Sequence, residues 1–177
     1  YLMYKGTSTY HINSCETIEM FYKIRTDLDK LKYAIHIDKI IMDVTEENEN
    51  CYNILQLLLN TLYTIAETDK NLDLIVSVFK LRLLCILGFP PRIVACVNCK
   101  SKEDLNYFSI KDNGFKCVNC GRQDKSAIQM SKSTQSAIKY VATAPPKKLF
   151  SFDLKDEALQ EFKLISKIYF DQKLEKE

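Results

Sequence analysis

Cys96-Val97-Asn98-Cys99 is followed, after 17 intervening residues, by Cys117-Val118-Asn119-Cys120. No other feature of the chain restricts its fold as strongly. Two C-x-x-C pairs at this separation match the spacing of a structural zinc site. Zn²⁺ favours four tetrahedral ligands, and thiolates bind it at roughly 2.3 Å. Each pair curls around one edge of the metal and leaves the intervening N–H groups free to bond the sulfurs. Between the pairs, Tyr107-Phe108-Ser109-Ile110, Asp112-Asn113-Gly114 and Phe115 read as strand, tight turn and strand, because Asn-Gly supplies left-handed backbone. That hairpin returns Cys117 to Cys99. The rival reading is a redox-active dithiol. Four thiolates saturate one ion, so the spacing predicts a structural site without an open position for water. A zinc deaminase would need H-x-E and P-C-x-x-C. His36-Ile37-Asp38 and a Pro91 five residues before Cys96 supply neither.

The 177 residues suit one domain, or one domain with a small insertion. Hydrophobic content of 46% is ordinary for a packed core. No apolar run approaches the ~18 residues of a membrane span, and no signal peptide is visible. The chain starts at Tyr1 rather than methionine, so an N-terminal part is expected upstream. Of seven cysteines, four are claimed by the metal. Cys15, Cys51 and Cys85 are expected as reduced packing residues, which points to the cytoplasm.

Net charge is only +2, but it is unevenly distributed. Residues 16–73 carry 12 acids and 6 bases, residues 74–152 carry 13 bases and 4 acids, and residues 153–177 carry 7 acids and 5 bases. A basic middle on a near-neutral chain is a partner signal, often for nucleic acid. The alternative is a solvated lysine-rich surface.

Taken in order, residues 1–13 read as strand, Gly6-Thr7-Ser8 turn and strand. One hairpin is barely stable alone, so it is expected to join a sheet lying mostly before Tyr1. His11 and His36 have no partner motif and read as structural or surface residues. Ser14 is a candidate N-cap for a helix starting near Glu16. Its apolar positions are Ile24, Leu28, Leu31, Ile35, Ile37, Ile41 and Val44. A second helix, about 51–67, carries Ile54, Leu55, Leu58, Leu62 and Ile65, broadened by Leu57 and Leu59. A third, about 72–87, buries Leu74, Val78, Leu81, Leu84 and Cys85 and ends at Gly88 and Pro90-Pro91. The cysteine module occupies 93–125. Ser131 caps a helix to about Thr143. A last helix, about 155–174, buries Leu159, Phe162, Ile165 and Tyr169. The expected architecture is mainly α: a helical bundle with an inserted four-cysteine, zinc-ribbon-like β-hairpin module. Its divisions are 1–13, 14–92, 93–125 and 126–177.

The run Phe79-Lys80-Leu81-Arg82-Leu83-Leu84-Cys85-Ile86-Leu87-Gly88-Phe89-Pro90-Pro91 leads into Cys96-Val97-Asn98-Cys99. Phe108-Ser109-Ile110-Lys111-Asp112-Asn113-Gly114-Phe115-Lys116-Cys117 then closes the second pair. This order resembles the RecO family of bacterial recombination mediators. In that family a leucine-rich helix ends in L-G-[YF]-x-P, followed by C-x-x-C, an F-S-x-x-x-G-[GF] hairpin and C-x-x-C. The resemblance implies that residues 1–13 are the remnant of an N-terminal OB fold. It also implies binding to single- and double-stranded DNA, strand annealing, and work with RecR to load RecA. The gaps involved are coated with single-stranded-DNA-binding protein, whose acidic C-terminal tail is a further implied partner.

Two readings follow. In the first, the chain is a non-catalytic DNA-binding mediator; no Ser/His/Asp set, P-loop or phosphate-cradling glycine run is present. In the second, it is a zinc-stabilised protein-interaction module with little DNA binding. Phosphate contacts would come from the basic middle: Arg92, Lys100, Lys102, Lys116, Arg122, Lys125, Lys132, Lys139, Lys147 and Lys148. For the tail peptide, Phe79, Lys80, Arg82 and Leu83 on the third helix are expected to pair an apolar pocket with cations.

Overall fold

A computed structural model describes Ser14, residues 16–47 and residues 49–174, with the backbone of residues 2–4 and 10–12. Strands β1 (Leu2–Tyr4) and β2 (Tyr10–Ile12) pair antiparallel, Met3 opposite His11. The Gly6–Ser8 turn, the His11 side chain and Cys15 lie outside the described residues.

The helix expected from Glu16 does not start there. Residues 16–21 are irregular, and Glu19 Oε1 accepts from the Met20 and Phe21 N–H groups. A single turn, α1 (Tyr22–Arg25), is followed by a break at Thr26-Asp27. Asp27 then caps α2 (Leu28–Val44) by accepting from the Asp29 and Lys30 N–H groups. The buried face of α2 is Ala34, Ile37 and Ile40. Leu28 is 82% exposed and Ile35 48% exposed. Of the expected apolar positions, Ile24 and Ile37 are buried and Leu31, Ile41 and Val44 pack against the core. Only Leu28 and Ile35 face solvent, because Asp27 restarts the helix after Ile24 and the angular phase is not continuous.

Helix α3 (Tyr52–Glu67) buries Ile54, Leu57, Thr61 and Ile65, and turns Leu55 and Leu59 to solvent. Thr61 can be buried because its hydroxyl donates to the Leu57 carbonyl at 2.7 Å. Helix α4 (Leu72–Ile86) is the centre of the bundle: nine of its 15 residues are buried, on every face. Asn71 caps its start, accepting from the Leu74 N–H at 3.1 Å. At its end Gly88 has φ +90°, a conformation that side chains disfavour, and the Phe89 N–H returns to the Leu84 carbonyl. Asp73, in the first turn of α4, accepts from Tyr33 Oη of α2 at 2.7 Å and from Lys163 Nζ at 2.6 Å.

Beyond α4 come β3 (Tyr107–Ser109), β4 (Gly114–Lys116), α5 (Val118–Arg122) and β5 (Ala127–Gln129). The sheet order is β4-β3-β5, antiparallel throughout. The third strand lies past residue 125, so the module is a three-stranded sheet rather than a hairpin. Helix α6 (Lys132–Thr143) is capped by Ser131, a 3₁₀ turn covers Pro146–Lys148, and α7 (Asp156–Leu174) packs along α4. Glu161 of α7 accepts from the Ser131 N–H and Oγ and from Thr134 Oγ1, fixing the start of α6.

Candidate metal centre and basic surface

The first cysteine pair is held by a tight loop. The Cys96 N–H donates to the Ser101 carbonyl at 2.7 Å, the Lys100 N–H returns to the Cys96 carbonyl at 3.0 Å, and Lys100 takes φ +65°. The second pair opens α5, where the Gly121 N–H donates to the Cys117 carbonyl at 2.8 Å. Gly121 is required by packing: a Cβ there would sit 2.3 Å from the Tyr107 ring of β3. The turn Asp112-Asn113-Gly114 closes the sheet with Asn113 at φ +56°.

These elements gather the ligand atoms of Cys96, Cys99, Cys117 and Cys120 within 4.8 Å of one another. Cys99 and Cys117 Sγ are 3.5 Å apart. A tetrahedron with ~2.3 Å bonds places its corners roughly 3.8 Å apart, so the four sulfurs fit one thiophilic ion. Cys96 is fully buried and Cys99 exposed. Burial opposes ionisation of Cys96, yet backbone N–H groups of Cys117, Cys99 and Asn98 outweigh it and lower its thiol to about 6. Cys120, hydrogen-bonded to Cys117, is pushed up to about 12. Negative charge is thus favoured at Cys96, the buried corner of the set. A divalent ion bound there would take the sulfurs as thiolates.

Next to Cys117 in the chain, Lys116 belongs to a cluster that spacing did not reveal. Lys116 is 3% exposed, with its ammonium 2.5 Å from Asp112 and 2.7 Å from Asp124. Ser109 Oγ donates to Asp124 at 2.5 Å, and the Ser126 N–H and Oγ bond its other oxygen. Burial would raise the Asp124 pKa, but its hydrogen bonds from Lys116, Ser109 and Ser126 hold it well below the usual carboxylate range. Lys116 is therefore corrected from surface cation to internal lock. The available signal was Asp112 and Lys116 at an i, i+4 spacing across a tight turn.

Of the other expected DNA contacts, Lys139 is half-buried, with its ammonium 5.7 Å from the Phe115 ring centroid. Arg92, Lys100, Lys102, Arg122, Lys125, Lys132, Lys147 and Lys148 are exposed. Arg92 Nη2 donates to the Asp112 carbonyl at 2.6 Å, and Lys100 Nζ to the Val97 carbonyl at 3.1 Å. Among the described residues none of these eight pairs with a carboxylate. The structure separates them into two groups. Six lie on or beside the cysteine module; Lys147 and Lys148 lie past the far end of α6, a helix about 18 Å long by its 12 residues.

The expected peptide site is not an open pocket. Phe79 and Leu83 are 0% exposed and belong to the bundle core. Arg82 Nη1 donates to the carbonyls of Val141 and Ala142, each at 3.1 Å. Lys80 lies 5.1 Å from the Phe170 ring centroid. The apolar row that included Phe79 and Leu83 faces inward because α4 is surrounded on all sides.

The family described as recombination protein O C terminal matches residues 25–177. The chain is 39% identical over 177 residues to the DNA repair protein RecO of Acetivibrio thermocellus, covering 99% of this chain and 70% of that protein. It is 30% identical over 142 residues to the RecO of Alkaliphilus metalliredigens, covering 80% of this chain and 58% of that protein. With the RecO of Bacillus subtilis the identity is 27% over 173 residues, covering 97% and 67%. No solved structure matches.

Proposed function

The chain belongs to the recombination protein O family, and from that premise we propose that it is a non-catalytic DNA-binding mediator of repair and recombination. Membership supports a role in DNA repair and recombination. The finer reading is strand binding and annealing, action with RecR, receipt of the tail of single-stranded-DNA-binding protein, and loading of RecA. It extends the family resemblance to this chain, with β1 and β2 as the end of an OB fold and with one structural Zn²⁺ on the four cysteines. In this reading the protein works in the cytoplasm at the nucleoid. Among the described residues no helix is long and apolar enough to cross a membrane.

One observation carries the DNA-binding part. Of the four acids in residues 74–152, Asp112 and Asp124 are both engaged by buried Lys116. Against the nine exposed cations of that stretch, the eight exposed candidates and Lys111, its only other acids are Glu103 and Asp104. Among the described residues none of the nine forms an ion pair with a carboxylate. A surface so poor in counter-charge favours phosphate and is sequence-independent. Oligonucleotide affinity measured against salt tests it, with a log–log slope of roughly −0.7 per phosphate contact for single strands. The triple variant Arg122→Glu, Lys125→Glu, Lys132→Glu is expected to weaken binding alike on unrelated sequences and to flatten that slope. Equal affinity of variant and parent at low salt would reject the module as the footprint.

A further inference from the structure

The C-terminal ends of α2, α4 and α7 converge on a cavity of about 390 Å³. Its apolar surface includes Phe89, Phe170 and Leu174, and Phe89 is 43% exposed. Its charged lining residues are Asp43, Glu46 and Asp171, and among the described residues no lysine or arginine lines it. A helix C-terminus carries roughly half a negative charge on its free carbonyls. Neither α2 nor α4 has a basic residue in its last turn. The last turn of α7 has Lys173, but its ammonium lies 5.8 Å from the Tyr169 ring centroid. Lys80 interacts with Asp171 but lies over the Phe170 ring and is not part of the lining.

We infer that this cavity docks a partner-protein segment that presents an arginine or lysine beside a large apolar side chain. The apolar surface would bury the hydrophobic group. The carboxylates and helix ends would hold the cation at the rim, where charge complementarity sets specificity and association rate. Three carboxylates and helix carbonyl ends repel phosphate, so the site is not a continuation of the basic surface. Its chemistry is also opposite to that needed by an acidic tail. A protein partner could thus occupy it while the cysteine module engages DNA.

The test uses the full chain, isotope-labelled, titrated with the blocked peptide Gly-Ser-Leu-Arg-Phe-Lys-Ser-Gly and followed by amide NMR. The expected result is saturable shifts around Phe89, Phe170 and Leu174 that weaken as salt is raised. A peptide with glutamates in place of its two cations should bind about tenfold more weakly or worse. Asp43→Lys with Glu46→Lys should lose a comparable factor while leaving the melting temperature and metal content unchanged. Phe89→Ala, on the exposed rim, should weaken the basic peptide without altering its salt dependence. Equal binding of the acidic peptide, shifts mapping elsewhere, or full affinity in the charge-reversed variant would overturn the inference. It would also fall if sedimentation showed self-association that the charge-reversed variant abolishes, since the occupant would then be a second copy.

Discussion

Phe108 of β3 meets Tyr169 of α7 edge-on, with ring centroids 5.3 Å apart and planes at 73°. Tyr169 Oη in turn donates to the Phe89 carbonyl at 3.0 Å, just past the cap of α4. Phe108 also meets Phe115 at 6.1 Å. The cysteine module and the helical bundle therefore share one hydrophobic core, and the module is not an independent bead. Phe108→Ala should cost about 3–5 kcal/mol, the range for emptying a buried aromatic site. Unfolding should remain a single transition, with far-ultraviolet dichroism and tyrosine fluorescence giving coincident curves. Two separated transitions would mean that module and bundle melt apart.

Metal analysis of freshly purified protein should find one zinc per chain. Removing it with a chelator, or introducing Cys117→Ser, should expose amides across 96–122. Because the core is shared, protection should also fall at the start of α6, where Gln135 Nε2 donates to the Leu105 carbonyl at 2.8 Å. Hydrogen exchange measures both effects. Loosening confined to the cysteine loops would contradict the shared core.

Lys116 predicts a pH window. A hydrogen bond and charge from Lys116 lower the Asp112 pKa despite its burial, and Asp124 is lowered as well. Lowered carboxylates contribute stability above their unfolded values, near 3.9, and lose it as pH falls through the folded ones. Burial alone would lower the Lys116 pKa, but Asp112 and Asp124 outweigh it and raise it. That contribution is full below roughly pH 10.4 and is lost as pH rises through the folded value. The cluster should thus stabilise the module between about pH 4 and pH 10. Lys116→Met should destabilise by about 3–5 kcal/mol, because the two carboxylates lose their cation. Adding Asp124→Asn should restore part of the loss. Denaturant melts across pH would show this, and a double variant weaker than the single would refute the lock.

Much of this architecture could be read from residue order. The cysteine spacing, the Asn-Gly turn, the stop at Gly88 and Pro90-Pro91 and the Ser131 cap are local signals, set by the residues that carry them. Most of what escaped was set by tertiary context. One miss was local, since the Asp27 cap breaks a run that periodicity joined and leaves Leu28 and Ile35 outside while Ala34 and Ile40 join Ile37 inside. Strand β5 is three residues long, and its pairing with β3 is non-local. Phe79 and Leu83 share a helix with Lys80 and Arg82, but only packing on all sides of α4 shows which face lies inside. Charge counting found the basic middle; it could not separate Lys116 from its exposed neighbours.

Arg82 gives the last prediction. The carbonyls of Val141 and Ala142 that accept from its guanidinium lie in the last turn of α6, which has no basic residue of its own. Arg82 thus supplies from α4 the cation that a helix C-terminus favours. It ties α4 to α6 through two side-chain-to-backbone hydrogen bonds. Hydrogen bonds from a charged donor are worth about 1.5–3 kcal/mol. Arg82→Glu places an anion against the negative end of α6 and should lower stability by at least that much. Arg82→Lys keeps the charge but cannot reproduce the planar fork, so it should fall between parent and Arg82→Glu. Any loss of peptide or DNA binding in Arg82→Glu must therefore be compared at equal fraction folded. Thermal melts of the three proteins decide the matter. If Arg82→Glu melts with the parent, the guanidinium does not hold α6.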